Sequence, residues 1–187
     1  MSAALEKAPQ ARDAIAQVLR GILFTEHRDE ADMNAYAVLD GAAIPELLDQ
    51  LYGDEPPEFV CLYRGELEPD LAECAPYLIH LTPESPFTEW LLTHCCGNHW
   101  GIFAISGEDI GTVRRHFRNF LIVKDPDGKQ IYFRFYDPRV WSIFLPTTVP
   151  DELDLVFGPV SSYMVEERGE LMIYGIKEGA LAVQARR

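Results

Sequence analysis

Positive charge is what this chain has least of. Sixteen Lys and Arg against thirty Asp and Glu leave a net charge of −14 over 187 residues. A field of that sign repels phosphate backbones and anionic lipid, so neither nucleic acid nor a membrane surface is an expected partner. The charge fits a solubilising surface, or a protein that meets a basic partner. No apolar run approaches the about 18 residues that a spanning helix needs. Met1 to Gln10 is polar and Ala-rich, without the apolar stretch of a secretory leader. A cytoplasmic protein is the expectation. Cysteine is scarce: Cys61, Cys74, Cys95 and Cys96 outline no disulfide framework, and a vicinal pair rarely bridges, so reduced thiols are expected.

Catalytic signatures are missing too. There is no Gly-x-Ser-x-Gly elbow and no glycine-rich phosphate loop. The acids Asp40, Glu89, Asp109 and Asp137 are scattered, with no two carboxylates paired by spacing. Cys61 sits inside an apolar stretch, where a thiol is inert. His94, Cys95, Cys96 and His99 are close in sequence, but their spacing matches no zinc pattern. His94 and Cys95 share an apolar stripe, so a core histidine beside buried thiols is expected rather than a metal. No cofactor is implied.

What is present is an ordinary globular chain, 48% hydrophobic and 25% charged, long enough for one domain with a small appendage. Ala11, Ile15, Val18, Leu19, Ile22 and Leu23 make one face of an amphipathic helix that the polar run Thr25 to Asp32 ends. Strands are expected at Asn34–Asp40, Phe59–Tyr63, Tyr77–Leu81, Trp100–Ile105, Phe120–Val123 and Ile131–Tyr136, with a hairpin loop at Lys124–Lys129. The last five should share one sheet. Helices are expected from Ile44 to Tyr52, after Ser85-Pro86, after Ser106–Asp109, after Asp137-Pro138 and after Thr147-Thr148. Arg64 to Pro76 reads as loop. Val160–Val165 and Leu171–Ile176 flank Glu167-Arg168-Gly169 as a terminal hairpin, and Glu178–Arg187 reads as a frayed helix. Interleaved helices and strands predict an α/β fold, a mixed β-sheet with packed helices in a single compact domain. Residues 1–33 form an N-terminal helix and linker, 34–159 the main domain, and 160–187 a C-terminal hairpin and tail.

The arginines stand out. Arg114 and Arg118 lie on one stripe of the helix after Asp109, bordering the core face of Ile110, Val113 and Phe117, while Arg115 points to solvent. In Tyr132-Phe133-Arg134-Phe135-Tyr136-Asp137-Pro138-Arg139, alternation sets Tyr132, Arg134 and Tyr136 on one strand face. An apolar strand does not keep an arginine unless its charge has a partner. One reading is a buried Arg–Asp network, with Arg134 largely buried against Asp137 or Asp40. The other is a basic, aromatic patch that grips a partner through Arg115, Arg118, Tyr132, Arg134, Tyr136 and Arg139.

These segments also carry a resemblance. Tyr36-Ala37-Val38-Leu39-Asp40-Gly41-Ala42, Cys61-Leu62-Tyr63-Arg64-Gly65, Ala75-Pro76-Tyr77-Leu78-Ile79-His80-Leu81 and Trp100-Gly101-Ile102-Phe103 occur in that order. Arg114 to Arg118, Tyr132 to Arg139, Phe144-Leu145-Pro146-Thr147 and Phe157-Gly158-Pro159 follow. From about Tyr36 to Pro159 the chain resembles the bacterial family catalogued as domain of unknown function 4123, whose members are type VI secretion adaptors. The resemblance implies a non-enzymatic adaptor or chaperone. It would bind one effector toxin in the cytoplasm and help load it onto a VgrG-class spike protein, sometimes with a PAAR tip. Many members carry a further region thought to choose the effector. Here Val160 to Arg187 follows, enough for a hairpin and a tail, and the helix before Asn34 is a candidate contributor. The alternative from the residues is an enzyme on a small anionic substrate, clamped by Arg114, Arg118, Arg134 and Arg139. A structural or immunity-type binding protein is a third reading.

Overall fold

The computed structural model describes residues 3–26, 33–124 and 127–187, with side chains from Arg12 onward. The side chain of Ala11, the polar run beyond Glu26 up to Asp32, and the loop tip Asp125-Pro126 lie outside the described residues. In chain order come α1 (Ala3–Phe24), β1 (Asn34–Asp40), α2 (Leu47–Leu51), β2 (Phe59–Cys61), α3 (Pro69–Glu73) and β3 (Pro76–Leu81). Then follow α4 (Pro86–His94), β4 (Gly101–Ser106), α5 (Ile110–Arg118), β5 (Ile122–Lys124), β6 (Gln130–Tyr132) and α6 (Pro138–Phe144). The chain closes with α7 (Pro150–Phe157), β7 (Val160–Glu167), β8 (Glu170–Lys177) and β9 (Ala180–Arg186).

β1 organises the rest. Ala35, Ala37 and Leu39 face one apolar layer and Tyr36 and Val38 the other, so the strand needs cover above and below. It pairs antiparallel with β3 on one side and with β4 on the other, Val38 standing opposite both Leu78 and Ile102. The seven-stranded sheet runs β2-β3-β1-β4-β7-β8-β9, and every ladder in it is antiparallel. This corrects the mixed ladder read from the sequence. The helical crossover through α4 does join two parallel strands, β3 and β4, but β1 inserts between them and pairs with each.

The core is therefore two layers divided by one sheet. On the first face lie Ile15, Leu19, Ile22 and Leu23 of α1, Leu47 and Leu51 of α2, and Phe87, Leu91 and Leu92 of α4. On the second lie Val113 and Phe117 of α5, Trp141 of α6, and Leu153, Val156 and Phe157 of α7. The α/β reading with packed helices holds. Its one-sheet assignment fails in part, since β5 and β6 form a separate two-stranded hairpin. The segment expected as one strand from Ile131 to Tyr136 stops at Tyr132. Phe135 and Tyr136, successive residues, are buried in the same apolar layer, which strand alternation forbids, and Asp137 N–H closes a turn onto the Arg134 carbonyl at 3.0 Å. The tail is not a frayed helix but the strand β9, turned back by Glu178 and Gly179 at φ 54° and 75°. Arg168 and Gly169, at φ 53° and 80°, make the same kind of turn between β7 and β8. His94 is exposed rather than a core residue, its ring stacked near Trp90 and Trp100.

Candidate partner-binding site

Asp40 ends β1 in a buried position. Its Oδ1 accepts the Ala42 N–H at 3.2 Å, capping a 3-10 turn. Its Oδ2 takes the guanidinium of Arg134, which arrives from the irregular segment between β6 and α6. The Arg–carboxylate pair expected from the sequence exists, and Asp40 is the partner. The burial is lopsided, however: the Asp40 side chain is 4% exposed and that of Arg134 is 50% exposed. Arg134 is thus not the largely buried residue expected, because the strand that would have enclosed it ends at Tyr132. The hydrogen bond it donates to Asp40 raises its basicity, and its guanidinium carbon lies 6.0 Å from the Tyr136 ring centre.

Asp137 caps α6 and is spent locally. It accepts from Arg139 N–H at 3.0 Å, Arg139 Nε at 2.9 Å and the terminal guanidinium nitrogen at 2.7 Å. Burial pushes its carboxyl up, but the bonds from Arg139 outweigh this and hold it below the ordinary carboxylate range. Tyr136 is buried, not a surface aromatic. Burial comes first, then the Tyr63 field and the hydrogen bond Tyr136 gives Tyr63, in raising its hydroxyl well above the usual tyrosine value. Tyr63 in turn meets Tyr132 edge to face, ring centres 6.1 Å apart. Tyr132 is 72% exposed.

Arg118 plays a different part from the one its sequence position suggests. Its Nε donates to the Leu62 carbonyl at 3.0 Å, and one terminal nitrogen donates to the carbonyls of Cys61 at 3.0 Å and Tyr63 at 2.9 Å. The register Cys61 opposite Tyr77 sets Leu62 opposite Pro76, and Leu62 N–H donates to the Pro76 carbonyl at 2.9 Å. Proline has no N–H to return, so the Leu62 carbonyl needs another donor. Arg118 supplies it and fastens α5 to the end of the edge strand. Arg115 stays on the exposed face of α5 and donates to Thr112 Oγ1 at 2.9 Å.

Beside this staple runs a groove of about 650 Å³. Its apolar lining is Leu62, Leu67, Leu71, Leu121 and Ile122, together with Tyr63 and Tyr132. The charged residues that line it are Arg64 and Arg118, both cationic. Arg64, Arg114 and Arg118 stand in no ion pair among the described residues. Burial, then repulsion from Arg114 and Arg64, lowers the basicity of Arg118, and Arg114 Nε is buried without a hydrogen-bond partner.

Of the six residues expected to grip a partner, Arg118 and Tyr132 line this groove and Tyr136 supports it through Tyr63. Arg134 and Arg139 sit on neutralising carboxylates, and Arg115 is not among the groove lining. The four arginines of the anion-clamp reading do not converge as free cations: two are paired and Arg118 is tied to carbonyls. The sequence reading missed Leu67 and Leu71, which it assigned to a loop. Pro69 at the first helical position, with Leu67 and Leu71 four apart, was the available signal.

Among the described residues no group of three or more His, Cys, Asp or Glu side chains is placed to hold a metal ion. No helix among them is long and apolar enough to cross a membrane. The model of one family, described as Domain of unknown function (DUF4123), matches residues 35–155, from β1 into α7. No curated protein and no solved structure matches the chain.

Proposed function

The chain belongs to the DUF4123 family, and on that premise we propose that it is a type VI secretion adaptor that works by binding alone. The family is associated with type VI secretion effector adaptors. In this reading the protein captures one effector toxin in the cytoplasm and hands it to a VgrG-class spike protein, with or without a PAAR tip. It performs no chemistry on either. The observation that carries the reading is the family match over residues 35–155, which takes in β1 to β4 of the central sheet and helices on both of its faces.

The site supports it in two ways. The arginines and acids around Asp40 and Asp137 are consumed in internal pairs, which suits a scaffold better than a reaction centre. The open groove beside them is lined by leucines, an isoleucine and two tyrosines, the residue classes that give contact area at a protein interface. The test is co-expression with any toxin gene that adjoins its own, followed by affinity capture and size exclusion. A one-to-one complex with that toxin is expected, extended by the spike protein when it is added. A protein that ignores the toxin and turns over a small anionic substrate would instead be the arginine-clamp enzyme.

A further inference from the structure

In a chain with nearly twice as many acids as bases, this groove of about 650 Å³ carries charge of the minority sign. The contrast is local. A smaller groove of about 390 Å³ is lined by Glu55, Glu58 and Glu84. At the larger one Arg64 is exposed and in no ion pair among the described residues, while Arg118 spends its hydrogen bonds on carbonyls and keeps its charge. Carbonyls orient a guanidinium but do not neutralise it. Ile122 and Leu71 lie on this groove 49% and 47% exposed, and Tyr132 72%. Apolar side chains left this open in one concavity mark a surface that something covers.

We infer that this groove receives a segment of the partner protein that presents apolar side chains flanked by carboxylates. The leucines, Ile122 and the tyrosine edge take the apolar anchors, and Arg64 with Arg118 takes the flanking charge. Arg64 is the specificity element. A lysine-flanked segment of equal hydrophobicity meets two cations and is rejected. A second copy of this chain is disfavoured as occupant by the mutual repulsion of two bodies at −14. That the segment belongs to an effector rests on the adaptor reading; its chemistry rests on the groove alone.

The experiment titrates overlapping 15-residue peptides covering the co-encoded toxin onto the full-length protein, beside capture of the intact toxin. Arg64→Glu and Ile122→Asp are compared with wild type, both positions being exposed, with melting curves as the folding control. The expected result is that bound peptides carry acid-flanked apolar anchors, and that each variant weakens them by about tenfold or more with an unchanged melt. Peptides that bind both variants at full strength, or a panel in which none binds, overturn the groove assignment. Intact toxin captured equally by wild type and variants overturns the groove and leaves the adaptor standing. Peptide binding without capture of intact toxin sinks the adaptor reading and keeps the groove. Self-association of the wild type that Arg64→Glu abolishes would give the groove to a second copy and overturn the assignment.

Discussion

The guanidinium of Arg118 stands 3.0 Å from the carbonyl oxygen of Leu62, which faces a proline across the ladder and can draw no bond from it. A cation that sequence spacing sets beside the core stripe is a backbone staple joining α5 to the edge of the sheet. Replacing it removes three donors at once. Arg118→Ala should cost about 2–4 kcal/mol, because carbonyls left unpaired near the core carry a desolvation penalty. Arg118→Lys should recover only part, since one ammonium cannot reproduce the fork. Urea unfolding measures both, and a midpoint equal to wild type for the Ala variant would refute the staple.

The Asp40–Arg134 pair calls for a smaller cost than a buried pair would. Asp40 is buried, but half of Arg134 is in water. Water can follow the truncated side chain and solvate part of the stranded carboxylate. Arg134→Ala should cost about 1–2 kcal/mol rather than the larger loss of a fully enclosed pair. A double-mutant cycle with Asp40→Asn isolates the coupling. A loss well above this range would mean that Arg134 is enclosed after all.

The elements that proved legible share one property: their side chains follow a single period. β1 alternates between two apolar layers, and α4 and α5 keep helical stripes, so each could be placed from sequence. Where a local contact overrides the period, the reading failed. Tyr132 to Tyr136 looks like strand because aromatics fall on both faces around Arg134, yet the turn that Asp137 closes puts Phe135 and Tyr136 into one layer together. The Ala-rich tail has helix propensity, but Glu178-Gly179 repeats the turn chemistry of Arg168-Gly169 and folds it into β9. Of the site, the arginines and tyrosines were visible as residue types. Their division into paired, stapling and open members depends on partners far away in sequence, such as Asp40 and Leu62, which no local pattern reveals.

His116 sets a pH limit on stability. It is half-buried, its Nε2 donates to the Val156 carbonyl at 3.1 Å, and burial lowers its pKa from the ordinary 6.5. The unfolded chain therefore binds a proton near 6.5 that the folded chain refuses. Its contribution is complete above that pH and is lost as pH falls through the folded value. Asp137, also held low, adds a loss of the same sign below its ordinary 3.8. Urea midpoints should fall from about pH 6.5 downward, and His116→Gln, which keeps a donor and cannot charge, should flatten that first decline. An identical decline in the variant would assign it to other groups.

Gly158 ends α7 at φ 50° and ψ −115°, and a Cβ there would come 2.5 Å from the His116 ring. Strain and clash act together, so Gly158→Ala should destabilise by about 2–4 kcal/mol. Relief should come in the double variant with His116→Ala, which clears the ring but not the backbone strain. Thermal melts of the single and double variants decide it: a single variant as stable as wild type would refute both the strain and the clash.

Tyr132 and Tyr136 separate folding from binding. They are four residues apart in one segment, and both are joined to Tyr63, one by ring contact and the other by a hydrogen bond. Tyr132 is 72% exposed, whereas Tyr136 is buried. Tyr132→Ala should leave the melt within about 0.5 kcal/mol of wild type, as for an ordinary surface change, and weaken capture of the toxin by roughly tenfold through lost aromatic area. Tyr136→Phe removes a buried hydrogen bond while filling the same space, so it should cost about 1 kcal/mol and leave capture unchanged at saturating folded protein. Side-by-side melts and capture titrations of the two variants read this directly. If Tyr132→Ala captures the toxin at full strength, the binding surface lies away from the groove, and the aromatic pair serves the fold alone.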